Sequence, residues 1–173
     1  MPRRILPPDV IKTLQNVRLW FEVSDCTGAT YHADADWLSD HGMNPDKVGG
    51  IQISADIVTS SDDQPGVILH ELAHAFEEAQ VLGPGRTELK SAYQAARLSG
   101  RYESVPRRGG GKERAYALTD VHEYFAELSE AYFSENDFYP FNRDDLEYFD
   151  PQGFAAVENL WNGAKSSPGD WPE

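Results

Sequence analysis

Five consecutive residues, His70-Glu71-Leu72-Ala73-His74, have the types and spacing needed to hold a metal and use it. Side chains four apart on an α-helix share a face, so the two imidazoles of this H-E-x-x-H pattern converge on one point. Both can bind Zn²⁺ through nitrogen. Glu71 follows His70 directly and can reach a water on the metal, take its proton and pass it to a leaving amine. Zinc makes such a water acidic and polarises a scissile carbonyl. The bland reading of the same residues is a helix that happens to carry two core or surface histidines.

A catalytic zinc takes three protein ligands and keeps one position open. The third must come from elsewhere, and His32, His41, His122 and several carboxylates are available. Glu123 is the foremost candidate. It opens Glu123-Tyr124-Phe125-Ala126-Glu127, a segment made apolar on one side by Phe125, Leu128 and Tyr132. Glu123 and Glu127 share a helix face, and carboxylates turned inward are costly unless paired or bound to metal. Glu123 would ligate the zinc, and Glu127 would accept the other ring N–H of a ligand histidine. Surface acids on an acidic chain are the competing reading, and Glu130 is expected at the surface. His122 adjoins Glu123 but points about 100° away on the helix, which makes it the second choice of ligand.

These groups need elements to hold them. Pro8 to Gln15 reads as a first helix with proline at its start. Val17 to Val23 reads as a strand, Asp25 to Gly28 as its turn and Ala29 to Ala33 as the return strand. Asp34 to His41 is a short helix stopped by Gly42, and Gly49 to Ser54 alternates like a further strand. Asp62-Asp63-Gln64-Pro65 starts, and Gly83-Pro84 stops, the helix carrying the histidines; Val67, Leu69, Leu72, Ala73, Phe76 and Ala79 make it mainly apolar. Another helix runs from Thr87 to Gly100. Gly109 to Gly111 opens a loop, and Thr119-Asp120 caps a helix to Phe133. Residues 137–150, aromatic and acidic, are expected as chain laid over the core. Asp150-Pro151 starts a last helix ending near Gly163. Strands followed mostly by helices make one α+β domain over residues 1–165, with a small N-terminal sheet and a helical C-terminal half. Residues 166–173 read as a loose tail.

The chain has 173 residues, enough to bury one core. No apolar run approaches the roughly 20 residues of a membrane span. Prolines 2, 7 and 8 with Asp9 and Lys12 interrupt any signal-like stretch, which leaves residence in the cytoplasm, export by a non-classical route or a processed form as the alternatives. A net charge of −14 argues against nucleic acid as a partner. The basic stretch Arg107, Arg108, Lys112 and Arg114 reads as a solvated loop, or as a contact near the site because it ends just before Tyr116. Cys26 is the only cysteine, so no internal disulfide forms and nothing demands an oxidising compartment. It lies in a strand–turn region apart from the histidines, which argues against a cysteine-ligated hydrolase of the deformylase type. The oligomeric state is left open by the sequence.

Tyr116-Ala117-Leu118-Thr119-Asp120-Val121-His122-Glu123-Tyr124-Phe125-Ala126-Glu127, downstream of the H-E-x-x-H helix, resembles the catalytic domain of anthrax toxin lethal factor and its smaller relatives. That family's segment has the form Y-x-L-T-x-x-x-E-F-F-A-E. The likeness is carried by residues 65–80 and 116–134 and is looser over 134–163. It implies a zincin-like metallopeptidase fold, endopeptidase activity with one catalytic zinc ion, Glu123 as the third ligand, and Tyr116 as donor to the developing oxyanion. A tyrosine hydroxyl suits that role, being a neutral donor near neutral pH; a packed aromatic at the helix entrance is the plainer reading. The resemblance also suggests Ile51-Gln52-Ile53-Ser54 as an edge strand that pairs with an extended peptide or protein substrate. Tyr124 stands where the family has the first Phe of its pair. The likeness does not extend to the toxin's receptor-binding and substrate-recognition portions, so the toxin's own substrate is not implied. The alternative is an inactive lethal factor-like module that keeps the metal site and acts by protein binding; a blocked cleft would mark it.

Overall fold

A computed structural model describes residues 6–23, 28–55, 57, 66–81 and 83–163. The N-terminal part comprises α1 (Pro8–Gln15), β1 (Arg18–Glu22), β2 (Ala29–Tyr31), α2 (Ala35–Asp40), a 3-10 turn at Pro45–Lys47 and β3 (Gly50–Ser54). Helices dominate afterwards: α3 (Val67–Gln80), α4 (Gly83–Ser99), α5 (Val121–Phe133), α6 (Arg143–Phe149) and α7 (Pro151–Trp161). A short ribbon, β4 (Val105–Pro106) with β5 (Lys112–Glu113), and a 3-10 turn at Tyr116–Leu118 lie between α4 and α5. The class is α+β, with a small sheet and a helical majority.

Local chemistry explains most helix starts. Asp34, Asp120, Asn142 and Asp150 each cap a helix by accepting backbone N–H bonds through the side chain. Gly83-Pro84, which reads as a stop, instead begins α4, because proline is tolerated in a first turn where its missing N–H would have no partner. Residues 62–65, the expected start of the histidine helix, fall outside the described residues. So do Cys26, most of the turn before β2, and residues 166–173. Residues 137–150 are not simply laid over the core, since Arg143–Phe149 is helical and capped by Asn142.

The sheet order is β1-β3-β2, with β1 parallel and β2 antiparallel to β3. β1 and β2 therefore do not form the hairpin expected from their adjacency. β3 inserts between them because it is the apolar strand: Ile51 and Ile53 are buried, whereas Leu19 and Phe21 of β1 are exposed. The buried Gln52 of β3 is satisfied by Lys47 Nζ at 2.9 Å and His32 Nε2 at 3.1 Å. Ile51 to Ser54 are thus central and paired on both sides, and the expectation that they offer an edge to a substrate is corrected. The edges are β1 and β2.

The helical core is built on Trp161, whose ring stacks on Phe76 at 4.2 Å while its Nε1 donates to Ser129 Oγ at 2.9 Å. Asp150 ties the C-terminal helices to α5 and to the segment that follows α4. It is buried and accepts from Tyr124 Oη at 2.6 Å, Tyr102 Oη at 3.0 Å and the Gly153 amide at 3.1 Å. Asp150→Ala strands two buried hydroxyls and removes a cap, so denaturant unfolding is expected to register a loss of about 3 kcal/mol. A loss under about 1 kcal/mol would mean that water substitutes for the carboxylate.

Candidate active site

α3 and α5 pack against one another and bring the two sequence motifs face to face. His70 and His74 stand one turn apart on α3, ring centroids 4.8 Å from each other. Glu123, in the first turn of α5, places Oε2 2.9 Å from His70 Nε2 and 3.5 Å from His74 Nε2. Ligand atoms of these three residues all lie within 4.8 Å of one another. The Asp120 cap fixes this turn by accepting from the Glu123 amide at 2.9 Å.

The other face of His70 meets an acidic wall. Its Nδ1 is 2.7 Å from Glu130 Oε1 and 3.8 Å from Glu127 Oε1. The carboxylate that orients the ring is therefore Glu130, and Glu127 instead accepts from Asn136 Nδ2 at 3.2 Å. Glu130 is buried, contrary to the surface position expected for it. Its carboxyl is pressed against the start of α3: a Cβ on Gly66 would come within 1.9 Å of Glu130 Oε2, so a larger residue there would have to displace the Glu130 side chain.

Charge is concentrated here. Burial works to lower the His70 pKa, but hydrogen bonds to Glu123 and Glu130 override it and push it up to about 10. A field that holds a proton so firmly also favours a divalent cation. Burial tends to raise Glu123, yet the two histidines bring it well below the usual carboxylate range. Burial raises Glu127 and Glu130, each reinforced by a neighbouring acid.

Glu71 lines the same cleft, and its Oε2 accepts the Tyr31 backbone N–H at 2.6 Å. Burial raises its pKa, against the pull of His70 and the Tyr31 bond. Tyr116 Oη donates to Glu123 Oε1 at 3.3 Å, and the ring is half exposed rather than packed away. Burial and the neighbouring Glu123 push its hydroxyl up to about 12, so it remains a donor near neutral pH. The cleft encloses about 500 Å³ between β2, α3, α5 and the segment around Phe138.

The remaining sequence candidates lie elsewhere. His122 is bonded to Glu77 at 2.9 Å, His32 to Gln52, and His41 stacks on Trp37 at 4.0 Å. Of the basic stretch, Arg107 reaches the cleft wall, 3.6 Å from Asp137, while Arg108 and Arg114 pair with Glu135 and Glu103. Glu130 was legible in principle, because positions 123, 127 and 130 repeat as one helix face. The Tyr31 amide was not, since a backbone group has no residue-type signature.

No protein-family model matches this chain, and neither a curated protein nor a solved structure matches it.

Proposed function

We propose that this protein is a zinc-dependent metallopeptidase. The observation that carries the reading is the convergence of His70, His74 and Glu123 beside Glu71 in one open cleft. Two imidazoles and one carboxylate, with the remaining side facing a cavity, fit the donor set of a catalytic zinc. His70 would bind through Nε2, its Nδ1 being engaged by Glu130. Zinc held there supplies Lewis acidity, which acidifies water and polarises a carbonyl. The likeness of the two helical motifs to lethal factor-like catalytic domains, which implies a zincin-like fold, points the same way.

The chain's own groups do the rest. The Tyr31 amide holds Glu71 Oε2, which leaves Oε1 to take the proton of the attacking water and deliver it to the leaving amine. Burial makes Glu71 a stronger base than an exposed carboxylate. Tyr116 donates to the oxygen on which charge develops. An extended peptide would pair with β2. His32 N donates to Gly50 O and Gly28 O accepts from Ser54 N, so these residues face β3 and the alternate ones, Ala29 and Tyr31, face outward; with the Tyr31 N–H held by Glu71, the peptide would pair with the backbone groups of Ala29 and the Tyr31 C=O.

Elemental analysis of the wild type beside His74→Ala, with cleavage of a peptide library, tests the proposal. One zinc per chain, lost in the variant together with cleavage, is the expected result. Zinc without cleavage would favour a binding module, and no zinc after loading would overturn the reading. Tyr116→Phe is expected to lower kcat on the order of 10²-fold with unchanged metal content. An unchanged kcat would return Tyr116 to a packing role.

A further inference from the structure

The edge of the sheet away from the cleft carries an unusual surface. Phe21 is 75% exposed, Val23 96% and Leu19 49%, in consecutive outward positions of β1 and its end. They belong to the strand that β3 covers on one side only. The Glu22 carbonyl accepts from the Ala55 amide, so residues 18, 20 and 22 direct their backbone groups to β3. By strand alternation Leu19, Phe21 and Val23 direct theirs outward, and among the described residues no partner takes them. An unpaired edge carrying exposed apolar side chains is a template for another strand, and proteins ordinarily blunt it with charge, proline or a bulge. None of these interrupts the outward-facing series Leu19, Phe21 and Val23.

We propose that β1 pairs with β1 of a second copy of this chain, antiparallel about a two-fold axis through Trp20, giving a continuous six-stranded sheet. The register is chosen by charge. Centred on Trp20, it sets Arg18 opposite Glu22 of the partner subunit, twice, and Leu19 opposite Phe21 of the partner subunit, twice. Leu19 and Phe21 are then the hydrogen-bonded pairs, as their outward backbone groups require. A register shifted to centre on Phe21 would keep the backbone bonds but lose both charge pairs. The choice matters for a chain of net charge −14, whose copies repel one another. A two-fold contact buries the same patch from both copies, and this patch is self-complementary. Because β2 lies at the opposite edge of the sheet, both clefts stay open. The dimer is independent of the peptidase reading.

Light scattering coupled to size exclusion, on the full chain over a range of concentrations, tests it. The wild type is expected at twice the 19.4 kDa chain mass, falling on dilution. Phe21→Lys, at a position too exposed to disturb the fold, is expected to give the monomer mass at every concentration. Arg18→Glu and Glu22→Arg each place like charges opposite one another and are expected to be monomeric alone. Mixed, the two variants set a doubly acidic strand against a doubly basic one, which restores both charge pairs and returns the dimer mass. Circular dichroism of each variant shows whether it is folded, since Arg18 also bonds the Asp46 carbonyl and Glu22 pairs with Lys47. A wild type that is monomeric throughout, or a dimer that survives Phe21→Lys, overturns the proposal. Folded single variants that fail to recombine overturn the register.

Discussion

Glu71→Gln is expected to lower peptide hydrolysis by about 10²- to 10⁴-fold while leaving zinc bound. That range corresponds to roughly 3–5 kcal/mol of transition-state stabilisation. The substitution is close to isosteric, and the amide oxygen of glutamine can still accept the Tyr31 N–H that Glu71 Oε2 accepts at 2.6 Å. What it cannot do is take a proton. Glu71 is buried, and burial disfavours its charged form, so a neutral replacement leaves the fold intact. The check is kcat/KM on any peptide the wild type cleaves, with metal content measured on the same sample. Activity near the wild-type level with zinc retained would remove Glu71 from the mechanism.

The second large effect is on the metal. Glu123→Ala is expected to weaken zinc binding by clearly more than the roughly 10- to 100-fold typical of residues that only support a ligand. Among the described residues, Glu123 is the one carboxylate near both histidine Nε2 atoms, at 2.9 and 3.5 Å. Glu130→Ala should fall within that roughly 10- to 100-fold range, because Glu130 acts through His70 Nδ1 at 2.7 Å. Glu127→Ala should have the smallest effect of the three, since Glu127 stands 3.8 Å from that nitrogen and bonds Asn136. Competition with a chelator of known affinity orders the three. If Glu127→Ala proves the most damaging, the ligand assignment is wrong.

The contrast between Glu127 and Glu130 shows where reading residues one at a time stops. Spacing alone puts positions 123, 127 and 130 on one face. Which of them meets His70 depends on where α5 lies beside α3, and that is set by packing around Phe76, Phe125 and Trp161. The sheet gives the same lesson. The strands are recognisable from local sequence, yet their pairing is not, because chain neighbours are not always sheet neighbours. The burial of β3 on both faces decides that it is central.

What the sequence determined by itself is therefore local. His70 and His74 must share a helix face, Glu71 must accompany them, and Asp120 and Asp150 must begin helices, because each follows from bonds spanning four residues or fewer. Tertiary structure decided what depends on elements far apart in the chain. It chose β2 rather than β3 as the strand beside the cleft, gave Glu71 the Tyr31 amide, and gave His70 the Glu130 carboxylate. These contacts join residues forty and sixty positions apart, and only the shared burial of the helices and the sheet brings them together.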